Sequence, residues 1–326
     1  MIESRLNEDL RQIASWASRK RLPLAPEKST VTLFSADTHQ YKYHPQVFLN
    51  DTLIPLERNP KILGVTFDPL LTFGPHAREV AGKIGSRAKI LQALAGTDWG
   101  HSREDICITF KSLAASQINY AAPVYAPNLK PTHIARIQCA QNRCLRIATG
   151  SHAAASLSHV HHETSTLTVG SHLNMLARQF YAKTMVSSHP SFDVVQAPSG
   201  PRGLRQTLSS KFHISVAPFC RNGSIPRDSI QSVIGDLHTS AVAVAIRDLD
   251  ACPNRVLGCR PPTVDDSEKA LPRCWRATLS QLRSGFCRSL KSYEAVLQNT
   301  DASCPDCHLE AHSTAHLFVC PSFPSP

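Results

Sequence analysis

The sequence predicts an α+β fold that is mostly α-helical, and three observations support this. Apolar residues recur at helical spacing over most of the chain after Gly74, short alternating segments precede that point, and a Cys/His cluster lies near the end. With 326 residues, the chain is long enough to bury one large core or two modest ones. No internal repeat is evident.

The first 75 residues combine one helix with short strands. Apolar spacing predicts an amphipathic helix over residues 2–18, closed by the basic cluster at residues 19–21 and by Pro23. Strands are predicted at residues 31–34, 47–49, 53–54 and 61–68, of which the second and third form a hairpin. Gly64, inside the last strand, marks a place where another backbone or a ligand comes close.

Helices dominate after Gly74. The first carries an apolar stripe from Ala77 to Ala95, and the second begins at a capping box formed by Ser102 and Asp105. A third runs over residues 132–149 with Gly150 as its C-cap. Further helices are predicted around residues 173–180, 241–249 and 273–297, and the Pro-, Gly- and Ser-rich residues 196–228 are predicted to form a linker.

The chain is basic, with 35 Lys and Arg against 25 Asp and Glu, a net charge of +10 and a pI near 9.2. The excess is concentrated in the first 150 residues. A basic surface favours a polyanionic partner, most often a nucleic-acid backbone. Charge alone is equally consistent with a basic surface that only meets solvent.

The eleven cysteines are an odd number in a long chain, which argues against a secreted disulfide framework. The first 22 residues are charged and amphipathic, unlike a signal peptide, and no apolar run approaches the length of a membrane span. We therefore expect an intracellular protein, in the nucleus or cytoplasm, with reduced thiols and no membrane partner.

The most specific chemical motif is a Cys/His cluster at the C-terminus. Cys304 and Cys307 can share one ion from a tight turn, and His316 and Cys320, four residues apart, meet on one helical face. Three thiolates and one imidazole suit tetrahedral zinc, and four protein ligands make the site structural. His308 and His312 are alternative nitrogen ligands.

Other His and Cys residues show no metal-ligand spacing. His152, His159, His161 and His162 lie in an Ala- and Ser-rich segment and are interpreted as surface histidines. Cys139 and Cys144 are interpreted as packing residues, while Cys252, Cys259, Cys274 and Cys287 are expected in the core or as free thiols. No Ser-His-Asp arrangement, Walker loop or dinucleotide fingerprint is present.

Several phrases resemble reverse transcriptases of non-LTR retrotransposons, jockey-like elements in particular. Lys61-Ile-Leu-Gly-Val-Thr-Phe-Asp68 resembles the segment that follows the catalytic palm and helps to seat the primer end. Thr314-Ala-His-Leu-Phe-Val-Cys-Pro321 resembles the C-terminal zinc knuckle of that family. Intermediate matches are Tyr120-Ala-Ala-Pro-Val-Tyr125, Gln141-Asn-Arg-Cys-Leu-Arg146 with Thr149-Gly150, Pro261-Pro262 with Ser267-Glu268, and Leu282-Arg-Ser-Gly285 with Ser292-Tyr293. The order of these phrases is nearly collinear with the family.

The resemblance implies a division of the chain into four parts. Residues 1–75 are the end of the palm with a primer-grip-like turn, and residues 76–150 are a helical thumb. Residues 151–298 are a helical connector that contains the linker, and residues 299–326 are the zinc knuckle. In the family this half clamps the template–primer duplex, so the expected partners are RNA and DNA, together with the N-terminal half of the polymerase.

Basic residues on the predicted thumb helices are the candidate contacts to nucleic-acid phosphates. Lys and Arg bind phosphate through charge, and such binding needs no base-reading motif. They are Arg78, Lys83, Arg87, Lys89, Arg136, Arg143 and Arg146. The segment from Leu22 to Thr30 resembles the palm motif whose lysine lies near the nucleotide phosphates; by position this is Lys28, although Ala25-Pro26 departs from the Asn-Pro of the family. A solvated lysine at the start of a strand is the alternative interpretation.

The paired aspartates that hold magnesium in this family lie upstream of the segment matching residues 2–18, and Asp265-Asp266 sits far downstream in a Pro-rich connector. We therefore expect the chain alone not to polymerise, with magnesium needed only by the complete polymerase. The alternatives are a separate nucleic-acid-binding or structural zinc protein, and a zinc hydrolase, which needs an open coordination position and a general base.

Overall fold

The computed structural model describes residues 2–35, 37–96, 99–196, 208–251, 256 and 264–322. The predicted fold class is confirmed: these residues are mostly helical, and two small antiparallel sheets lie near the start of the chain.

Helix α1 (Ile2–Arg19) packs on a hairpin formed by β1 (Phe48–Leu49) and β2 (Thr52–Leu53). The hairpin prediction is confirmed, and its turn residues Asn50 and Asp51 have φ of 50° and 58°, as a type I′ turn requires. Residues 31–34 form no strand, since only Val31 makes one bridge there, to Leu56. The prediction of a strand at residues 31–34 was therefore wrong.

The predicted strand at residues 61–68 is instead a second hairpin, with β3 (Lys61–Ile62) antiparallel to β4 (Val65–Thr66). The chain reverses at Leu63 and Gly64, whose φ values are 46° and 82°. Gly64 is a point of close approach, but its neighbour is the Tyr120 side chain and not the predicted backbone or ligand. A Cβ on Gly64 would lie 3.3 Å from the Tyr120 ring, and the Tyr120 hydroxyl donates to the Leu63 carbonyl at 2.5 Å.

The first long helices behave as the sequence predicts. Helix α2 (Gly74–Leu94) buries its apolar stripe, and the Ser102 side chain caps α3 (Arg103–Phe110) by accepting from the Asp105 N–H. A π-helical turn, Lys111–Ala115, joins α3 to α4 (Ser116–Asn119).

Helix α6 (Pro131–Thr149) packs along α2 and ends at Gly150, whose φ of 72° confirms the predicted C-cap. Gly150 is also a point of close approach, because a Cβ there would lie 2.6 Å from the Ala277 side chain. The surrounding helices are α5 (Ala122–Tyr125), α7 (Leu157–Thr164) and α8 (Val169–Thr184). One buried apolar cluster extends from Val65 to Leu173 across these helices.

The region predicted as a linker contains a helix. After α9 (Phe192–Gln196), residues 197–207 lie outside the described part, and α10 (Leu208–Val216) then packs against α8. Its residues Phe212 and Val216 are buried with Tyr181 of α8. The predicted helix at residues 241–249 is the end of the longer α11 (Ile230–Asp250).

One described helical stretch, Arg227–Asp250, is long and apolar enough to cross a membrane by length and composition. Its mean hydropathy is 1.2, and 17% of its apolar window is buried in the structure. The expectation that no such run exists was therefore wrong. One helix of this kind is weak evidence for a membrane, since core helices meet the same criterion.

The C-terminal region contains α12 (Asp266–Ala270), α13 (Arg273–Ser284), α14 (Lys291–Gln298) and α15 (Thr314–Leu317). The predicted single helix over residues 273–297 was wrong, because α13 ends at Gly285 in a left-handed conformation with φ of 78°. The four-part division of the chain remains a prediction.

Candidate functional site

The C-terminal Cys/His residues converge as a possible metal centre. One ligand atom from each of Cys304, Cys307, His316 and Cys320 lies within 4.8 Å of the others. The sulfur atoms of Cys304 and Cys320 are 3.9 Å apart, and Cys307 Sγ lies 3.1 Å from His316 Nε2. The described residues therefore include a Cys3His group that could hold a metal ion.

Short-range backbone contacts set this geometry. The His308 N–H donates to the Cys304 carbonyl, which closes a tight turn between the first two cysteines, and the Cys304 N–H donates to the Glu310 carbonyl at 2.8 Å. Ser313 caps α15 by accepting from the His316 N–H, which places His316 one turn before Cys320. The backbone N–H of Leu309 donates toward Cys307 and lowers the pKa of that thiol.

The contacts of His316, His312 and His308 show which of them can serve as the nitrogen ligand. His316 directs Nε2 at the cluster, while its Nδ1 lies 3.1 Å from the Glu310 carboxylate. This arrangement leaves Nε2 free to bind a metal, as in carboxylate–histidine–metal sites. His312 instead accepts a hydrogen bond at Nδ1 from the Lys291 N–H at the start of α14, and His308 is exposed.

The donor set fits zinc. Zinc–sulfur bonds of about 2.3 Å in a tetrahedron place two sulfurs about 3.8 Å apart, close to the distance observed between Cys304 and Cys320. The separation between Cys307 and His316 is shorter than the about 3.5 Å that such a site requires, so this pair must move apart slightly to bind an ion. Four protein donors complete a tetrahedral shell and leave no position for a substrate.

The candidate phosphate-binding residues lie on α2 and α6, and their side chains differ in solvent exposure and in their contacts. Arg78, Lys89, Arg136 and Arg143 are exposed, whereas Lys83 and Arg87 are half-buried. Lys83 pairs with Glu79 at 3.0 Å, and a stronger hydrogen bond from Lys61 holds the pKa of Glu79 at about 2. Arg146 is partly buried and donates to the Ala155 carbonyl at 3.1 Å. Arg78, Arg136, Arg143 and Lys89 are therefore the side chains most accessible to a large partner.

The candidates Arg78 and Arg136 lie with Lys130 in a basic cluster at the N-terminal ends of α2 and α6, and the sequence predicted neither Lys130 nor this clustering. The charges of Arg136, Lys130 and Arg78 act on His133 and, after burial, lower its pKa. A Cβ on Gly74, at the start of α2, would lie 2.9 Å from His133 Nε2, so the two helix ends are adjacent. The spacing of charges within each helix gave no signal for this junction.

The remaining predicted palm features lie apart from one another. Lys28 is exposed at the end of a 3-10 turn, Pro26–Lys28. The tip of the primer-grip-like hairpin exposes Leu63, which is 85% accessible. Asp265 caps α12 by accepting from the Glu268 N–H, and Asp266 pairs with Lys269 on the surface.

A charge network joins α3 and α7 to the C-terminal helices α12 and α13, and the sequence did not predict it. Arg276 of α13 forms two parallel 2.6 Å hydrogen bonds with Glu104 of α3, which hold the pKa of Glu104 at about 2. Arg103 and Arg283 both contact Glu163 and Glu268. Three arginines and three glutamates thus balance one another at this junction, called here the charge network.

Two of the predicted surface histidines are buried, so that interpretation was wrong for His159 and His161. Both are 1% exposed because residues 157–164 form α7, which packs on α6. His161 is held between the Thr166 carbonyl at 2.7 Å and Asn142 at 3.2 Å. Burial lowers the pKa of both imidazoles. The interpretation of Cys139 as a packing residue was also wrong, since it is exposed, whereas Cys144 is buried.

His159 meets Ser280 and Glu163, but these side chains do not form a hydrolytic triad. His159 Nε2 lies 3.3 Å from Ser280 Oγ and 3.7 Å from Glu163 Oε1. Ser280 also donates to Glu163 directly at 2.6 Å. The same ring nitrogen therefore faces both partners, so the imidazole cannot relay a proton between them. Ser280 is 1% exposed and has no access to substrate.

Comparisons with known proteins support the resemblance seen in the sequence. The chain is 28% identical over 150 residues to "Probable RNA-directed DNA polymerase from transposon BS" of Drosophila melanogaster, which is 44% of this chain and 16% of that protein. It is 27% identical over 132 residues to "Retrovirus-related Pol polyprotein from type-1 retrotransposable element R1" of Bradysia coprophila, which is 40% of this chain and 13% of that protein.

A third relative, "Probable RNA-directed DNA polymerase from transposon X-element" of Drosophila melanogaster, is 22% identical over 170 residues, 52% of this chain and 18% of that protein. The matches thus span less than a fifth of each relative. No family model and no solved structure matches the chain. The resemblance to polymerases of non-LTR retrotransposons is confirmed at the level of sequence similarity.

Proposed function

We propose that this chain is the C-terminal portion of an RNA-directed DNA polymerase of a non-LTR retrotransposon, and that it binds the template–primer duplex. The observation that carries the proposal is the sequence similarity to three transposon polymerases. Only a small part of each relative is matched, so the role of the whole polymerase is part of the proposal. The proposal also includes a cellular location, which is the nucleus or cytoplasm of the host cell.

The surface of α2 and α6 supports the duplex-binding role. Arg78 and Arg136 are exposed, and they lie near Lys130 at the N-terminal ends of both helices. Helix N-termini add positive potential, which favours phosphate. The exposed residues Lys89 and Arg143 lie further along the same two helices. Contacts of this kind depend on charge and carry no base information.

We propose a structural role for zinc at Cys304, Cys307, His316 and Cys320. When bound, zinc would fix the fold of the knuckle, because four protein donors leave it no catalytic position. Glu310 would orient His316, and His312 would hold the knuckle against α14.

Phosphoryl transfer in such polymerases needs carboxylates that hold two metal ions. In this proposal, the magnesium site belongs to the complete polymerase, and the chain alone does not extend a primer. Lys28 would then assist only in that context, near the nucleotide phosphates. A primer-extension assay with magnesium or manganese tests this: metal-dependent extension that disappears when one aspartate of this chain is changed would contradict it.

Salt-dependent binding of a labelled RNA–DNA duplex tests the thumb surface. Arg78→Glu with Arg136→Glu should weaken binding and flatten the plot of log affinity against log salt, because each lost phosphate contact reduces the slope by about 0.9 for B-DNA and somewhat less for other forms. The matched control is Arg5→Glu with Arg19→Glu, which reverses two exposed charges on α1. Equal losses in both double variants would show that binding follows net charge and not this surface.

A further inference from the structure

A groove lies between the π-helical turn, the start of α8 and the last turns of α11. Its volume is about 590 Å³, within the range of sites that enclose small molecules. The groove is separate from both the Cys/His group and the basic ends of α2 and α6, and none of the roles above uses it.

One wall of the groove is formed by an uncommon backbone element. Lys111–Ala115 is π-helical, and both Lys111 and Ala115 line the groove. Inserting a π turn into a helix costs backbone hydrogen-bond geometry, and such turns are found frequently at functional sites. Here the wider turn places the small side chain of Ala115 on the wall and Lys111 at its rim.

The floor and the opposite wall are apolar. Phe110 and Met175 contribute an aromatic ring and a thioether, and α11 adds Val242 and Ile246. Thioether and aromatic groups make favourable contacts with the faces and edges of aromatic rings. This surface therefore suits a flat apolar molecule better than a highly hydrated one.

The polar groups of the groove are basic or neutral. Lys111 and His238 are exposed groups that line it, and no carboxylate is among its described lining residues. His172 is fixed by a 2.7 Å contact between its Nε2 and Asn119 Oδ1, and burial followed by the neighbouring His238 lowers its pKa. The groove thus offers one permanent positive charge beside an apolar floor, and its occupant should carry the opposite charge.

We propose that this groove binds a planar apolar anion: a linked or fused aromatic ring system that carries one sulfonate, carboxylate or phosphate group. The rings lie between Met175 and the apolar side of α11, and the anionic group lies at Lys111. The volume of the groove suits an occupant of small-molecule size.

Fluorescence titration with anilinonaphthalene sulfonate tests the site, and the neutral phenylnaphthylamine serves as the uncharged counterpart. Saturable binding of one sulfonate per chain is expected. Lys111→Gln should weaken sulfonate binding about fivefold, the size of one partly exposed charge pair, and leave binding of the neutral probe unchanged. Lys42→Gln removes an exposed charge of a residue that does not line the groove and should change neither affinity.

A second pair of variants locates the probe. Ile246→Trp fills the groove and should weaken both probes about tenfold or more, whereas Val244→Trp adds the same ring to an exposed position of α11 outside the groove. Circular dichroism checks that all variants remain folded. Equal affinities in Ile246→Trp and Val244→Trp would overturn the proposed site, and an equal response of both probes to Lys111→Gln would overturn the proposed charge.

Discussion

The Cys/His group and the charge network hold two parts of this molecule by opposite means. The donors of the Cys/His group all come from residues 304–320, so short backbone turns bring them together. Most partners in the charge network are far apart in sequence: Arg103 and Glu268 are separated by 165 residues, and Arg276 and Glu104 by 172. A site built from neighbouring residues can be predicted from the sequence and can fold together with its metal. A site built from distant residues forms only when the helices around it have packed.

The largest expected effect sharpens this difference at the charge network. Glu163→Ala should lower the free energy of unfolding by about 3 kcal/mol, because it leaves Arg103 and Arg283 buried with too little negative charge. Chemical denaturation measures this loss. Glu8→Ala, which removes an exposed partner of Arg11, should cost less than about 0.5 kcal/mol. A loss from Glu163→Ala no larger than that control would mean that the network does not stabilise the fold.

The second prediction separates the two regions directly. Cys307→Ser should abolish binding of the single zinc ion, measured by metal analysis of protein purified without chelator, because three donors hold zinc poorly. The unfolding midpoint of the helical core should stay unchanged, since the charge network needs no metal. Cys139→Ser changes an exposed thiol of α6 and should retain the zinc. Loss of core stability in Cys307→Ser would show that the regions are coupled.

The third prediction concerns the orientation of His316. Glu310→Ala should weaken zinc binding about 10- to 100-fold, because the carboxylate that fixes the histidine ring is lost. Competition with a chromophoric chelator measures the affinity, and Glu310→Gln should lose less, since its amide oxygen still accepts a hydrogen bond. Glu294→Ala, an exposed change on α14, is the control. If His312→Ala removes zinc while His316→Ala does not, the nitrogen ligand has been assigned wrongly.

The last prediction concerns the dependence of stability on pH. Burial is the main cause of the lowered pKa of His76, His159 and His161, so these rings stay neutral in the folded protein. The unfolded chain takes up protons as the pH falls through 6.5, while the folded chain does not until a lower pH. The free energy of unfolding should therefore decrease as the pH falls below 6.5. Each of these histidines contributes a decrease of up to about 1.4 kcal/mol for each pH unit.

Denaturation at a series of pH values measures this slope. His76→Phe should make it shallower, because the variant keeps an aromatic ring beside Tyr125 but removes the proton-binding site. His39→Gln alters an exposed histidine and should leave the slope as it is. If His39→Gln changes the slope more than His76→Phe does, exposed histidines set the pH dependence.

Local signals predicted much of the fold. The cap at Ser102, the helix end at Gly150 and the turn at Asn50-Asp51 each follow from interactions within a few residues, and each is observed. The same local logic failed at Gly64 and Gly285. A single glycine in an apolar segment does not reveal whether the chain continues or reverses, and both glycines adopt left-handed conformations that end the element.

Contacts between residues far apart in sequence could not be predicted from the spacing of residues. The Cys/His group could be predicted, because its four donors lie close together in sequence. The contact between His159 and Ser280, by contrast, forms only when α13 lies beside α7, and the clustering of Lys130 with Arg78 depends on how α2 packs on α6. The periodicity of one helix contains no information about the polar groups on another.

Arg273 has a consequence for how the protein is made. Its guanidinium donates to the Ile147 and Ala148 carbonyls at the end of α6 and to the Gly96 carbonyl beyond α2. Arg273 follows Ala148 by 125 residues, so at about 5–20 residues per second it leaves the ribosome roughly 6–25 seconds later. During that interval these carbonyls lack their partner. The early helices therefore wait in an incomplete state during synthesis, in which a chaperone could act, until the C-terminal helices arrive.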